Sequence, residues 1–490
     1  MYSRSGGGDL AMEQVNLDTP RRSRPYIFYD VVRSVCSTCL IRCEGKLIIQ
    51  DGKVYLDKWC RPCGRERVLV AEDADYWGWA RERFMKPAEM PLRFQTPMKW
   101  GCPYDCGLCP DHQQHACLVL IEVGDHCNLH CPICFAESGP HRPTWRSMEE
   151  IERMLDAVVS AEGRPDVVQL SGGEPTLHPQ FWEILDAAKQ RPIRHLMINT
   201  NGVRIAKEPE FARRLADYRK GTEVYLQFDS LRDEALLRLR GARLRSVREQ
   251  ALENLEANNI STTLVVTVMQ GVNDHELGEI IEYALKWRCI RGITLQPVQQ
   301  AGRHEGYTAS ENRLTLTGVR KRVLEQSSRF SSDDILPVPC HPDALAMAYG
   351  LKLNGKFFPL TGLMDPQVLL NGPDNTIVLE KIPAVREEIA KLFSTGIGPE
   401  LQAKQLNELL CCLPQIEANG LGYENVFRLL IVRFADASDF DLRSVKRCCI
   451  HFAQPDGTII PFDTYNLFYR DGRREKLEQL RRQVEQHHDL

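Results

Sequence analysis

Three cysteines in the run His126-Cys-Asn-Leu-His-Cys-Pro-Ile-Cys-Phe135 carry the spacing C-x3-C-x2-C at Cys127, Cys131 and Cys134. No fourth cysteine follows closely. A four-iron cubane takes four ligands, usually cysteines. Three thiolates leave one iron open to a group that is not protein. Further on, Ser171-Gly-Gly-Glu-Pro175 places two glycines beside Glu174. Glycine lets backbone approach a ligand closely. Gly172, Gly173 and Glu174, and with them Asn201, Gln227 and Gln296, are therefore candidate contacts to a bound ligand.

The triplet spacing occurs twice. Cys102, Cys106 and Cys109 repeat it, and Cys117 follows eight residues later to make a set of four. A closed set cannot offer an iron without losing a ligand. We assign 102/106/109/117 to an auxiliary [4Fe–4S] cluster and 127/131/134 to the catalytic one. Upstream, Cys36-Ser-Thr-Cys39 and Cys60-Arg-Pro-Cys63 form two C-x2-C knuckles. Their four sulfurs suit tetrahedral Zn or a single Fe. Cys340 and the vicinal pairs Cys411-Cys412 and Cys448-Cys449 could supply a subset of ligands for a third cluster. Neighbouring side chains in a strand point to opposite faces, so all five should not serve one centre. Facing the barrel mouth, such a cluster would be the substrate-side one. His112, His115, His126 and His130 are expected around these sites rather than as ligands.

The elements that must position these residues read as α/β. Short apolar strands at 117–124, 166–171, 195–200, 223–229, 261–269 and 292–298 alternate with helical patterns at about 179–190, 208–219, 245–257 and 275–288. The first helix opens on the capping-box sequence Ser147-Met-Glu-Glu150. Six βα units predict a parallel sheet curled into a partial (β/α)6, TIM-like barrel. Active residues of such barrels stand at the C-terminal ends of strands, where the motifs fall. At ~3.3 Å per strand residue, Cys117 and Cys127 bracket the first strand and hold their sites roughly 20 Å apart. The auxiliary set should then relay electrons without touching substrate. Lys46 to Tyr55 reads as a hairpin turning at Asp51-Gly52.

The 490 residues exceed one ordinary core. The expected division is a disordered leader at 1–30, a metal-knuckle domain at 31–80, an auxiliary-cluster segment at 81–117, the barrel at 118–305 and a C-terminal substrate or cluster domain at 306–490. A net charge of −4 gives no global pull toward nucleic acid. Eighteen cysteines, 12 of them between Cys36 and Cys134, suit metal binding in a reducing cytoplasm better than disulfides. No apolar run approaches a membrane span, so a lipid substrate would be met from the membrane surface.

Cys127-x3-Cys131-x2-Cys134 followed by Ser171-Gly-Gly-Glu-Pro175 resembles the radical S-adenosylmethionine (SAM) enzymes over residues 117 to about 300. The resemblance implies that the open iron binds SAM, whose ammonium group the Gly172–Gly173 carbonyls with Glu174 nearby would hold and which Asn201, Gln227 and Gln296 would contact, and that reduction, from an external electron donor, yields a 5′-deoxyadenosyl radical that abstracts hydrogen from substrate. It adds a rubredoxin-like character to the knuckle domain and Fe–S binding to the flanking regions. Gly101-Cys-Pro-Tyr-Asp-Cys-Gly-Leu-Cys-Pro110, Val224 to Asp229, Gly271-Val-Asn273 and Arg447-Cys-Cys-Ile-His451 resemble the tetraether lipid synthase group. That implies three cubanes, one mononuclear iron and C–C coupling at unactivated sp3 carbons of lipid chains. One departure stands out: Asp463 occupies a position where that group leads us to expect cysteine. Relatives with the same pattern include proteins proposed to methylate a pterin, so a radical SAM C-methyltransferase acting on a pterin-like heterocycle is the alternative. Peptide modification and a non-catalytic zinc-ribbon binding protein are the remaining readings.

Overall fold

The computed structural model describes residues 24–353, 356–363, 365–371, 417–418, 421–422 and 425–488. Most of the expected leader, and both Cys411 and Cys412, lie outside them.

An antiparallel four-stranded sheet comes first: β1 (Ile27–Val35), β2 (Arg42–Gln50), β3 (Lys53–Cys60) and β4 (Gly64–Ala71) in sequential order. The Asp51-Gly52 hairpin forms as the sequence predicts, with both residues at positive φ (52° and 71°), the requirement of a tight two-residue turn. The knuckles occupy the β1–β2 and β3–β4 connections, so both cysteine pairs emerge at the same end of the sheet.

Helix α1 (Ala74–Arg83) leads toward the barrel. The barrel strands are β5 (Leu118–Glu122), β7 (Val167–Ser171), β8 (His195–Thr200), β9 (Thr222–Gln227), β10 (Thr262–Val268) and β11 (Ile290–Pro297). They pair in parallel, each with its sequence neighbour, as expected of successive βα units. A two-residue strand, β6 (Ile133–Cys134), lies inside the cysteine loop. Helices α2 (Met148–Glu162), α3 (Phe181–Lys189), α4 (Val203–Lys207), α5 (Pro209–Leu215), α6 (Asp233–Arg240), α7 (Arg245–Ala257) and α8 (Leu277–Leu285) connect the strands. In α2 the capping box closes reciprocally: Glu150 N–H donates to Ser147 Oγ (3.2 Å) and Ser147 N–H to Glu150 Oε2 (2.9 Å). Ile151, Met154, Leu155 and Val158 then share one fully buried face, worth about 1.5–3 kcal/mol each. The short helices α4 and α6 are additions to the sequence reading.

Among the described residues after the barrel, the long strands join the barrel sheet. β13 (Leu336–Pro337), β14 (Leu345–Leu353), β15 (Lys356–Pro359) and β18 (Val426–Val432) extend the barrel sheet beyond β11, while β19 (Ile450–Ala453) and β20 (Ile459–Pro461) extend it beyond β5. The two-residue strands β12 (Arg303–His304), β16 (Glu417–Ala418) and β17 (Leu421–Gly422) lie apart from this sheet. Both β18 and β19 pair in parallel with the barrel edge they cover. The backbone groups of the open barrel are thereby satisfied from the C-terminal region. Among the described residues, no helix is long and apolar enough to cross a membrane.

Candidate active site

The cysteine loop after β5 is clamped from several sides. β12 pairs with β6 and sets Arg303 opposite Cys134. The Arg303 guanidinium donates to the carbonyls of Cys131 (2.5 Å) and Ser138 (2.7 Å). From α6, Arg240 donates to the Ile133 carbonyl (3.2 Å) and grips Asp229 with two bonds of 2.7 and 2.6 Å. Cys127, Cys131 and Cys134 line one cleft together with Gly172, Gly173, Glu174, Asn201, Gln227 and Gln296. The cleft holds about 1010 Å³ of empty space, its open mouth included. Burial, reinforced by Glu174, pushes the Cys127 thiol up to about 12. Iron would have to displace that proton on binding.

The glycines are needed where they stand. A Cβ on Gly173 would meet the His126 carbonyl oxygen at 2.0 Å, and one on Gly172, at φ 112°, would meet the Gly124 carbonyl at 2.3 Å. The Gly173 and Glu174 amides donate to Gly124 and His126 (both 2.8 Å), which ties the Gly-Gly-Glu turn to the start of the cysteine loop.

Glu174 departs from its expected part. Its carboxylate already accepts from the Thr176 amide (3.2 Å) and hydroxyl (2.6 Å), the Thr200 hydroxyl (2.7 Å) and the Asn201 amide (2.7 Å). A carboxylate so occupied clasps the ends of β7 and β8 together and has little capacity left for an ammonium group. The other polar candidates are wired to their neighbours. Gln227 donates to Asn199 (2.8 Å) and accepts from Arg240 (3.0 Å), Asn199 donates to Ser171 (3.2 Å), and Gln296 donates to the Tyr225 hydroxyl (3.0 Å). Asn201 donates to Asn128 (2.7 Å) and stands 3.8 Å from Cys127 Sγ. The rim is thus a preorganised polar band that runs from strand to strand.

Arg248, on α7, is the residue that sequence reading missed. Its side chain is fully buried, it lines the cleft, and its three guanidinium nitrogens have no hydrogen-bond partner within the protein. Burial pulls it down to about 10, so it stays charged at neutral pH. Asp229 and Glu174 lie near enough to favour its charge, but a buried cation without hydrogen-bond partners is costly, and one facing a cleft suits an anionic ligand. The signal in the sequence was faint: an arginine three residues into an amphipathic helix looks like a surface residue. Phe135, Phe434 and Phe462 add an apolar wall to the cleft, with the latter two stacked at 3.7 Å.

Elsewhere, the Cys36, Cys39, Cys60 and Cys63 sulfurs all lie within 4.8 Å of one another, the closeness a single tetrahedral ion requires. Cys102, Cys106 and Cys109 line a second, small cavity with Asp111 and His112. Cys117, the expected fourth member of that set, does not line it. It is gathered instead with Cys340 and Cys449, because β19 docks in parallel beside β5 and aligns the residues that precede both strands. This grouping lies at the N-terminal ends of the strands, opposite the cleft, so Cys340 and Cys449 do not supply a centre at the barrel mouth. Cys448 points elsewhere, as its vicinal position predicts, and its thiol donates to the Ile450 carbonyl (3.1 Å). Asp463 accepts the Ala435 N–H (2.8 Å), and burial pushes its carboxyl up to about 7.

A parallel barrel whose mouth gathers three cysteines, a Gly-Gly-Glu turn and an unpaired buried arginine has the construction of a radical SAM enzyme. The family profile described as "Radical SAM superfamily" matches residues 121–284, and that described as "HMPTM N-terminal zinc ribbon domain" matches residues 28–72. The chain is 31% identical over 487 residues to 7,8-dihydro-6-hydroxymethylpterin dimethyltransferase of Methanocaldococcus jannaschii, a match covering 90% of this chain and 94% of that one. It is 32% identical over 158 residues to mycofactocin maturase MftC of Mycobacterium ulcerans, covering 32% of this chain and 40% of that one. Among solved structures, Streptococcus suis SuiB bound to S-adenosylmethionine aligns with 42% of this chain and 46% of its own, at 18% identity and a TM-score of 0.36. The chain belongs to the radical SAM superfamily, in the family of the M. jannaschii protein it matches over most of its length.

Proposed function

We propose that this protein is a radical SAM C-methyltransferase acting on a pterin-like heterocycle. The observation that carries the reading is the similarity to a pterin dimethyltransferase over 90% of this chain, beside the separate match of residues 28–72 to the HMPTM N-terminal zinc ribbon domain. It favours this reading over the coupling of lipid chains.

The cleft fits the cofactors. Cys127, Cys131 and Cys134 would hold a [4Fe–4S] cluster, and the Gly172–Gly173 backbone would lie against the amino group of SAM. Arg248 would pair with the SAM carboxylate, relieving its own isolation. Bound cluster and SAM supply a one-electron cleavage that generates a carbon radical capable of taking hydrogen from substrate. That electron comes from an external donor of low potential. Asn201, Gln227 and Gln296 offer directional contacts on the rim. Phe135, Phe434 and Phe462 provide apolar faces against which a planar ring packs and from which water is excluded.

The test is anaerobic incubation of the reconstituted protein with SAM, dithionite and 7,8-dihydro-6-hydroxymethylpterin, followed by mass spectrometry. A pterin product heavier by one or two methyl groups is expected, and isotopically labelled SAM will report whether SAM is the methyl source. Pterin left unchanged, with 5′-deoxyadenosine formation stimulated by an isoprenoid lipid, would overturn this reading in favour of lipid chemistry.

A further inference from the structure

The cleft is built from two sources. Cys127, Cys131 and Cys134, the Gly-Gly-Glu turn and Arg248 all lie within residues 121–284, the part matched by the superfamily profile. Gln299, Ala301, Phe434 and Phe462 line the same cleft from outside that part. The cluster and SAM are common to the superfamily and the substrate is not. The wall contributed from outside the profile is therefore the substrate side.

Ser138 is joined to that wall. Its carbonyl accepts from Arg303 (2.7 Å). Next to Arg303, Gly302 packs so closely that a Cβ on it would meet the Phe135 carbonyl oxygen at 2.4 Å. Phe135 in turn meets Phe462 edge-on, with ring centres 5.3 Å apart. The backbone on either side of Ser138 is also fixed. The Glu137 amide donates to the Cys134 carbonyl (3.1 Å) in a turn with Glu137 at φ 52°, and the Gly139 carbonyl accepts from the amides of Cys127 (3.4 Å) and Arg142 (3.1 Å).

The side chain is what this scaffold leaves over. Ser138 is 3% exposed and lines the cleft, and its hydroxyl has no hydrogen-bond partner among the described residues. Buried hydroxyls nearly always have one, because leaving them unpaired is destabilising. Its polar neighbour on the wall is already committed: Gln299 donates to the Ala435 carbonyl (2.5 Å) and accepts from Asn466 (3.4 Å). Arg248, the other unpartnered group of the cleft, stands apart from it, beside Gly202 at the end of β8, three strands from β11 in the sheet. A carboxylate bound at Arg248 leaves the Ser138 hydroxyl to a different part of the contents.

The chemistry of that part follows from what a hydroxyl needs. It donates one hydrogen bond and accepts others. An alkyl chain lying on this wall would offer it nothing and keep it unsatisfied. A flat heterocycle packed on the phenylalanines carries ring nitrogens and oxo or amino groups along its edge, and one of these can meet it. We propose that Ser138 reads the polar edge of the substrate ring and is a specificity contact for a pterin-like heterocycle. The inference rests on the methyltransferase reading and deepens it.

The test is equilibrium dialysis of cluster-loaded, unreduced protein, wild type against Ser138→Ala, with two ligands. One is 7,8-dihydro-6-hydroxymethylpterin in the presence of saturating SAM, and the other is SAM alone. Removing one oxygen atom should weaken pterin binding about tenfold and leave the Kd for SAM unchanged. Weaker SAM binding by Ser138→Ala would set the hydroxyl against SAM and overturn the proposal. Equal pterin affinity in the two proteins would overturn it while leaving the methyltransferase reading standing. A wild type that binds no pterin would overturn both.

Discussion

Replacing Arg248 by methionine should weaken SAM binding and stabilise the protein without SAM, two effects of opposite sign from one side chain. In the free protein the guanidinium is fully buried and its three nitrogens lack partners. Exchanging buried ionic groups for well-packed apolar ones of similar volume is often neutral or gains about 1–4 kcal/mol, and the missing hydrogen bonds of Arg248 put it on the gaining side. In the complex the same group would face the ligand carboxylate in a water-poor cleft, where a charged hydrogen-bonded pair contributes about 3 kcal/mol. That corresponds to roughly 150-fold in Kd. Isothermal titration of the cluster-loaded protein with SAM should show this loss, while 5′-deoxyadenosine, which has no carboxylate, should bind Arg248→Met and wild type alike. Thermal denaturation without SAM should show a rise in Tm. A SAM affinity within threefold of wild type would refute the pairing, and a fall in ligand-free Tm would refute the claim that the buried charge is unpaired.

Cys131→Ala should abolish 5′-deoxyadenosine formation from SAM and dithionite, measured by liquid chromatography, while the knuckle metal remains bound. Gly173→Ala would set a Cβ 2.0 Å from the His126 carbonyl; we expect a stability loss of about 1–3 kcal/mol and at least about 100-fold weaker turnover as the turn is pushed off the cysteine loop. Arg428→Met removes the cation that Glu223 binds at 2.9 Å inside the sheet, with an expected cost of about 3–5 kcal/mol at neutral pH. Burial opposes ionisation of Glu223, but Arg428 and His195 outweigh it and hold its carboxyl below the usual range. The stabilisation is therefore complete above the ordinary value of 4.5 and declines as pH falls below it. The wild-type advantage over Arg428→Met in melting experiments should shrink over that acidic range; a gap that widens would contradict the pairing.

The barrel was legible because its signals are local. Strand–helix alternation, the Ser147 capping box and the Asp51-Gly52 turn depend on residues a few positions apart, and each appears where the sequence places it. The knuckle site was legible for the same reason, since a C-x2-C turn aims two sulfurs regardless of what surrounds it. Errors began where sequence separation grew large. Cys117 was grouped with its nearest cysteines along the chain, but its neighbours in space are Cys340 and Cys449, delivered by pairing between strands more than 300 residues apart. The motif put Glu174 beside the ligand, and only the structure shows that Thr176, Thr200 and Asn201 already hold its carboxylate with four donors. Arg248 was invisible because an unpaired charge is defined by the partners it lacks.

The chain itself carries three cysteines with no near fourth and a Gly-Gly-Glu turn one βα unit later; short-range geometry gives these an open ligand position, and the resemblance to radical SAM enzymes gives that position its chemistry. The tertiary structure decided which remaining thiols stand together, which rim groups are already spoken for and where a buried guanidinium lacks hydrogen-bond partners. Those are properties of burial and long-range strand pairing, and they follow from how the C-terminal strands cover the two edges of the barrel sheet rather than from any local motif.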